Sequence, residues 1–174
     1  MKPLIVYFSR TGENSIEGAI EQIDKGFTQI VAEKIAQYTK GKLYKLDPEE
    51  PYPSNYELCV KRAVEEHQSN KDVEFKKPLD NIDEYDVIYL GFPNWYRSYP
   101  RIVATFLRRY NFSGKTIKPF CTNEEGAFGI GEFELRSTVK GAIIRPGYAV
   151  RGHDAENCDE SLKKWLEKWR NYYD

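Results

Sequence analysis

Short apolar segments alternate along the chain with longer segments in which apolar residues recur every three or four positions. The short segments predict strands at residues 3–8, 42–47, 87–90, 116–121 and 142–144, with 148–150 continuing the last one. The longer segments predict helices at residues 27–39, 54–68, 100–110, 132–139 and 159–173. Ser54 followed by Glu57 suits a capping box for the second helix, and Asn157 and Glu160 are candidate caps for the last one.

This alternation of strand and helix, repeated five times, indicates an α/β fold. Strands 3–8 and 87–90 are apolar throughout, which is typical of strands buried on both faces. Buried strands joined by helices form a parallel sheet with helices on both faces. Such sheets bind ligands at the carboxyl ends of their strands. The sequence places three loops of unusual composition there, at residues 9–14, 92–99 and 122–130.

Size and charge narrow the class of protein. The 174 residues suit a single domain over residues 1–174, and no linker or repeat divides them. A net charge of −1 provides no field to attract nucleic acid or a membrane surface, so neither is an expected partner. The three cysteines form no CxxC pair, and no set of side chains has metal-ligand spacing, so neither a disulfide framework nor a metal site is expected. With no signal peptide or apolar span in the sequence, we expect a cytoplasmic protein.

The first loop has the composition of a phosphate-binding turn. It reads Ser9-Arg10-Thr11-Gly12-Glu13-Asn14 and combines hydroxyls, a glycine and an amide directly after a buried strand. Converging N–H and O–H donors near a helix amino terminus bind phosphate, and a glycine lets the backbone approach closely. The lysine of nucleoside-triphosphate loops is absent. An ordinary turn from strand to helix is the alternative interpretation.

This loop resembles the Ser-x-Thr-Gly-Asn-Thr phosphate cradle of flavodoxins, and the five strand–helix units extend the resemblance over nearly the whole chain. The resemblance implies a flavodoxin-like three-layer α/β/α fold that binds flavin mononucleotide (FMN), with a five-stranded parallel sheet in the order 2-1-3-4-5. One departure is that Glu13-Asn14 replaces the usual Asn-Thr pair. Gly26-Phe27-Thr28 would then supply the displaced end of the cradle. Residues 13–26 would be an insertion between the first strand and the first helix, and Thr28 would return to the phosphate.

The second loop contains Pro93-Asn94-Trp95-Tyr96-Arg97 and is similar to the Gly-x-Pro-x-Trp loop of the family. The resemblance implies that Trp95 and Tyr96 stack on the flavin ring. Many relatives have a glycine near the position of Arg97, where it permits a peptide flip, and Arg97 makes that flip costlier. We therefore expect chemistry closer to that of a two-electron reductase. The alternatives are surface aromatics packed on neighbouring helices and a solvated Arg97.

The third loop, residues 121–129, is similar to the family segment Cys-Thr-x-x-Gly-x-x-Phe-Gly. The resemblance implies that backbone amides of this loop bind the flavin carbonyls while glycines shape its turns and a phenylalanine walls the ring edge. The residues assigned to this part of the site are Thr122, Asn123, Glu124, Gly126, Phe128 and Gly129. Glu124 and Glu125 are expected to face solvent or a partner, and Cys121 is expected to be a buried core thiol.

Three functional interpretations follow. The first is an FMN-binding electron-transfer protein that serves a redox partner protein. The second is a small FMN-dependent NAD(P)H:quinone-type reductase. The near-neutral charge and Arg97 favour this interpretation, whereas the absence of a nicotinamide-binding motif disfavours it. The third is a relative that keeps the fold but has lost flavin, because the phosphate loop is irregular. A receiver domain is disfavoured because Asn94 stands where an acceptor aspartate is needed.

Overall fold

The computed structural model of the protein describes residues 3–168. This range contains eight strands: β1 (Leu4–Tyr7), β2 (Gly12–Ile16), β3 (Ala19–Ile23), β4 (Lys42–Lys45), β5 (Val87–Pro93), β6 (Thr116–Asn123), β7 (Ile143–Ile144) and β8 (Tyr148–Arg151). The same range contains five α-helices: α1 (Phe27–Thr39), α2 (Tyr56–Gln68), α3 (Arg101–Arg109), α4 (Gly131–Thr138) and α5 (Asp159–Lys168). A 3-10 helix (Gly152–Asn157) precedes α5. The last predicted helix extended to residue 173, and its residues 169–173 lie outside the described part of the chain.

The large sheet is parallel and has the strand order β4-β1-β5-β6, with β7 and β8 beside β6. When the hairpin strands are set aside and β7 and β8 share one position, this order is 2-1-3-4-5. The predicted order is therefore confirmed. From β1 the chain first adds β4 on one side of the sheet and then crosses to add β5 on the other side. The strand order therefore reverses between β1 and β5, and a ligand-binding crevice is expected at the carboxyl ends of these two strands.

The fifth position of the sheet is divided between two short strands. β7 pairs with the start of β6 at Thr116 and Ile117, and β8 pairs with its end from Phe120 to Asn123. Between them lies Pro146, which has no N–H to donate to the ladder. The missing N–H of Pro146 thus accounts for the break between the two strand segments predicted within residues 142–150.

Side chains of β1 alternate between two cores. Leu4 and Val6 belong to a cluster with residues of α3 and α4, whereas Ile5 and Tyr7 belong to a cluster with residues of α1 and α5. All four are buried, because the strand is covered on both faces. This is the three-layer arrangement that the uninterrupted apolar run predicted.

The main departure from the predicted elements is an antiparallel hairpin formed by β2 and β3. Residues 13–26 were expected to be an insertion without assigned strands, and the hairpin occupies most of that segment. A smaller correction concerns α2, whose cap is Asn55 rather than Ser54: the Asn55 side chain accepts a hydrogen bond from Leu58 N–H. Asn157, a candidate cap for α5, lies at the end of the 3-10 helix instead.

Among residues 3–168, no helix has the length and apolar character needed to cross a membrane.

Candidate functional site

A cavity of about 370 Å³ lies at the carboxyl ends of β1, β5 and β6. Its size falls within the range of small-molecule and cofactor pockets. One side consists of hydroxyl and amide groups from the strand ends and the start of α1. The other side consists of apolar and aromatic groups from α2 and the loop after β5. Such a division suits a ligand with one charged or polar end and one flat apolar end.

The polar end is built around the amino terminus of α1. Ser9, directly after β1, accepts a hydrogen bond through Oγ from Gln29 N–H at 3.0 Å. The first turn of α1 contains no acidic residue, so the positive end of the helix dipole is not neutralised by its own side chains. Backbone N–H groups at such a helix end bind phosphate and other anions.

Gly26, the residue preceding α1, makes this close arrangement possible. A Cβ atom at position 26 would lie 2.1 Å from Oγ of Ser9 and 2.6 Å from the carbonyl oxygen of Arg10. Only a residue without a side chain lets the turn before α1 approach the end of β1 this closely. The contact brings the predicted cradle residues Ser9 and Thr28 to one place despite 18 intervening residues.

Two buried hydroxyl groups join the helix to the sheet beside this cradle. Thr28 Oγ1 and Thr122 Oγ1 are 2.8 Å apart, and both residues line the cavity. Asn94, after β5, also lines it. The Oδ1 atom of Asn94 is buried and has no hydrogen-bond partner among residues 3–168. Because a buried amide oxygen without a partner is costly, its place on the cavity wall fits a ligand that donates a hydrogen bond.

Arg10 and Glu13 were predicted to contact the cofactor, and their side chains also hold the start of α2 in place. The Arg10 guanidinium donates to the carbonyl of Ser54 at 2.8 Å and to two neighbouring carbonyls. The Glu13 carboxylate accepts from Tyr56 N–H at 2.7 Å and from the Asn55 side chain at 3.0 Å. A carboxylate at a helix amino terminus is electrostatically favourable. These contacts fix α2 as a wall of the cavity.

The apolar wall comes from one face of α2. Tyr56, Cys59, Val60, Ala63 and Val64 all line the cavity. The sequence predicted the helix itself, at residues 54–68, but no motif linked this face to the site. The link becomes visible only when residues 53–56 are anchored on the first loop.

The loop after β5 contributes the aromatic wall through Trp95 and Tyr96. Trp95 and Ser98 exchange two backbone hydrogen bonds, of 2.8 and 3.0 Å, that close a tight turn. Both intervening residues have positive φ, 51° at Tyr96 and 64° at Arg97. The Tyr96 ring is half exposed and packs against the His67 ring of α2 at a centroid distance of 4.4 Å.

The third loop reaches the cavity through Thr122, Asn123 and Glu124. The Glu124 carboxylate, which was expected to face solvent or a partner, accepts a hydrogen bond from Glu17 N–H at the tip of the hairpin. Phe128 packs against Phe92 in the core, with ring centroids 6.0 Å apart, and lies outside the cavity lining.

The structure therefore brings together most of the predicted site residues. Those that line the cavity are Ser9, Arg10, Asn14, Thr28, Pro93, Asn94, Trp95, Tyr96, Thr122, Asn123 and Glu124. Those that lie outside the lining are Thr11, Gly12, Glu13, Arg97, Gly126, Phe128 and Gly129. Lining residues missed by the sequence assignment are Ser15, Phe27, Gly152 and the five residues of α2 named above. Phe27 adjoins the predicted Thr28 and could have been included with it.

Cys121 is fully buried at the end of β6. Burial raises the pKa of its thiol to about 12, so the thiol is protonated at neutral pH. This agrees with the expected core thiol. Within residues 3–168, no three His, Cys, Asp or Glu side chains cluster in a way that could hold a metal ion.

Comparison with known proteins identifies the family. Residues 2–169 match the flavodoxin family model, so the chain belongs to the flavodoxin family. The resemblance to flavodoxins that the three loops indicated is confirmed. In sequence, no functionally curated protein matches the chain.

Solved structures place the chain among flavoproteins of this fold. A candidate flavoprotein from Bacteroides eggerthii is 27% identical, with a TM-score of 0.77 over 96% of each chain. Another, from Bacteroides uniformis, is 27% identical, with a TM-score of 0.75 over 95% of this chain and 97% of that one. A flavoprotein from Lactobacillus acidophilus in complex with FMN is 25% identical, with a TM-score of 0.64 over 95% of this chain and 98% of that one.

Proposed function

We propose that this protein binds FMN in the cavity at the carboxyl ends of β1, β5 and β6 and acts in electron transfer. The observation that carries the proposal is the two-ended cavity, with the amino terminus of α1 and buried hydroxyls at one end and aromatic and apolar side chains at the other. The similar Lactobacillus acidophilus flavoprotein, which was solved with FMN, supports this choice of ligand.

At the polar end, we propose that Ser9, Thr28 and the first N–H groups of α1 hold the FMN phosphate. Asn94 and Thr122 lie beside them and would bind other polar atoms of the ligand. Since the first turn of α1 contains no acidic residue, no carboxylate in that turn opposes a phosphate dianion.

At the apolar end, we propose that Trp95 and Tyr96 bind the ring system together with the α2 face. Bound FMN supplies one- or two-electron redox chemistry that side chains lack, and the protein tunes it by stacking, hydrogen bonding and exclusion of water. The remaining predicted residues act through the loops that they shape: Thr11, Gly12, Glu13, Arg97, Gly126, Phe128 and Gly129. Among the loop-shaping residues, Gly129 is packed so closely that a Cβ there would lie 2.3 Å from the Arg97 carbonyl oxygen.

A reductase that passes electrons from NAD(P)H to a quinone or a similar small acceptor is the second candidate. The exposed apolar side chains at the rim of the cavity favour it: Val60 is 43% exposed and Tyr96 51% exposed. A flat acceptor could pack there. Steady-state oxidation of NADPH by the FMN-loaded protein, with and without a quinone, separates this reductase from a carrier that needs a redox partner protein.

A cytoplasmic location is proposed as well. It rests on three free, buried thiols at Cys59, Cys121 and Cys158, which suit a reducing compartment.

Flavin titration of the purified protein tests the central proposal. We expect FMN to bind at least ten times more tightly than riboflavin, because the phosphate end of the cavity contributes only to FMN. Thr28→Val should weaken FMN binding and leave riboflavin binding nearly unchanged. Thr39→Val is the matched control, since Thr39 ends the same helix outside the cavity lining. Its hydroxyl donates to the Ile35 carbonyl at 2.8 Å and accepts from Gly41 N–H at 3.3 Å. Equal affinity for the two flavins, or no binding of either, contradicts the proposal.

A further inference from the structure

Trp95 belongs to a cluster of three rings at the end of β1. Its ring centroid lies 5.2 Å from that of Phe8 and 4.9 Å from that of Tyr52, with interplanar angles of 81° and 82°. Phe8 and Tyr52 also contact each other, at 5.5 Å. Edge-to-face pairs at these distances stabilise one relative orientation beyond the gain from burial alone. Two neighbours at steep angles therefore restrict the indole plane of Trp95.

Tyr52 is itself fixed by a buried carboxylate. Its hydroxyl donates a 2.6 Å hydrogen bond to Oε2 of Glu66, a residue that is only 3% exposed. Burial and this hydrogen bond raise the pKa of Tyr52 far above its usual range, so the hydroxyl remains a donor at any physiological pH.

Arg62 completes the arrangement. Its Nε donates to Oε1 of Glu66 at 2.8 Å, and its guanidinium carbon lies 4.1 Å from the centroid of the Tyr52 ring. The same guanidinium donates to the carbonyls of Glu50 and Pro51. A buried carboxylate is tolerated only when it is paired and hydrogen-bonded, and here both oxygens have partners.

The backbone around Tyr52 is stiff. Pro51 and Pro53 flank it, which fixes two φ angles and keeps the intervening residue extended. The ring is thus held at its backbone by prolines, at its face by Arg62 and at its hydroxyl by Glu66. Neither Tyr52 nor Glu66 lines the cavity, whereas Trp95 does.

We propose that Tyr52, fixed by Glu66 and Arg62, is a positioning residue that sets the orientation of Trp95 toward the flavin site before any ligand arrives. The inference deepens the proposed function and rests on it where bound FMN is concerned. A ring ordered in advance spares the ligand the entropic cost of ordering it, so the cluster contributes to affinity without touching the ligand.

The first test uses the protein without added flavin and follows the Trp95 indole N–H by NMR, assigned through Trp95→Phe. In the wild type we expect one sharp signal with slow hydrogen exchange. Tyr52→Phe should broaden or split the signal and accelerate its exchange at least ten-fold. Glu66→Gln, which keeps an acceptor oxygen for the tyrosine hydroxyl, should change the signal less than Glu66→Ala.

The second test uses the FMN-loaded protein. Tyr52→Phe should weaken FMN binding at least five-fold and change the visible circular dichroism of the bound flavin. Tyr110→Phe is the control, because it also loses one hydroxyl bond, to the Leu79 carbonyl at 2.9 Å, but lies away from the cavity.

A Trp95 signal that is unchanged in Tyr52→Phe, or that changes equally in Tyr110→Phe, overturns the positioning role. Wild-type protein that takes up no FMN overturns the proposed function instead. In that case the indole measurement still decides whether Tyr52 orders Trp95, so the two failures are distinguishable.

Discussion

Gly26 shows how one missing side chain determines the geometry of the polar end of the site. The turn before α1 touches both Ser9 and the Arg10 carbonyl, at distances that leave no room for a methyl group. This contact, rather than the sequence order of the first loop, places the start of α1 beside the end of β1.

Gly26→Ala should therefore impair both the fold and the site. We expect a loss of about 1–3 kcal/mol in unfolding free energy from overpacking and a drop of at least ten-fold in FMN affinity. Gly114→Ala is the control: Gly114 has a φ of +78° and open space around its Cβ position. It should lose about 1 kcal/mol through backbone strain without a change in affinity. Urea unfolding and flavin titration of both variants give the answer, and equal affinities would contradict the role of Gly26.

Arg97, which was expected to make a peptide flip of its loop costlier than a glycine would, has a backbone in the left-handed region. Its φ is +64°. The Trp95–Ser98 hydrogen bonds and the bond from Ile130 N–H to the Arg97 carbonyl, 2.7 Å long, hold it in this conformation.

Arg97→Gly should consequently stabilise the protein. Relief of left-handed strain, less the added entropy of glycine in the unfolded chain, leaves a gain of about 0.5–1 kcal/mol. For a domain of this size that corresponds to a rise of roughly 1–4 °C in melting temperature. Arg97→Ala keeps the strain while removing the charge, so it should not share the gain. Thermal unfolding of the two variants by circular dichroism checks this, and a gain in both would assign the effect to the side chain.

At the first loop, the sequence did not predict which way the side chains point. The composition of the loop predicted a binding site at this strand end, and Ser9, Arg10 and Asn14 line the cavity whereas Thr11 and Gly12 do not. The side chains of Arg10 and Glu13, however, point to residues 53–56, some 40 positions away. No local pattern could reveal these contacts, because they depend on how the loop before α2 folds back over the first strand.

The hairpin of β2 and β3 escaped prediction for a related reason. Gly-Glu-Asn-Ser-Ile lacks alternation of apolar and polar residues, and β3 is almost entirely exposed. Two short strands with no buried face give no periodic signal. The one local sign is the pair Glu17-Gly18, whose φ angles of +51° and +83° form a hairpin turn.

This hairpin is anchored at both ends. At its base, Glu13 N–H donates to the Ser54 carbonyl at 2.9 Å, and at its tip, Glu17 N–H donates to the Glu124 carboxylate. Asn14 and Ser15 between these anchors line the cavity. The hairpin therefore borders the cavity between its two anchors, and release of the tip should make ligand exchange easier.

Glu124→Ala should accelerate FMN dissociation roughly five-fold, which equals about 1 kcal/mol and lies within the range for one partly exposed hydrogen bond. Glu125→Ala is the matched control, since the neighbouring residue is exposed and does not line the cavity. The two dissociation rates are measured by stopped flow, as an excess of an FMN analogue displaces the bound FMN. The interpretation fails when Glu124→Ala and Glu125→Ala release FMN at the wild-type rate.

The architecture of the chain was the most predictable part. Strands such as β1 and β5 are apolar without interruption, and this follows directly from burial on both faces of a parallel sheet. The position of α2 beside the cavity was not predictable, because its apolar face is equally compatible with packing on the sheet. Prediction was thus strongest where burial alone determines the pattern and weakest where two distant loops determine each other.

Because the fold buries ionisable groups in their neutral form, its free energy of unfolding should decrease at alkaline pH. Burial raises the pKa of Cys121 to about 12 from an ordinary value of 9.0, and that of Tyr44 to about 12 from 10.0. In the unfolded chain these groups bind fewer protons above their ordinary values. The stabilisation is therefore complete below about pH 9 and is lost as the pH rises toward 12.

For Cys121 alone, linkage predicts a loss of about 2 kcal/mol in unfolding free energy between pH 8 and pH 10.5. Cys121→Ala removes the thiol and should lose about 2 kcal/mol less than the wild type over this interval, although it starts from a lower stability because of the cavity it leaves. Urea unfolding at both pH values measures the difference. Tyr44 and the other buried tyrosines titrate alike in both proteins, so their contribution cancels in the comparison. Equal losses in the two proteins would mean that the Cys121 thiol ionises in the folded state as readily as in the unfolded chain.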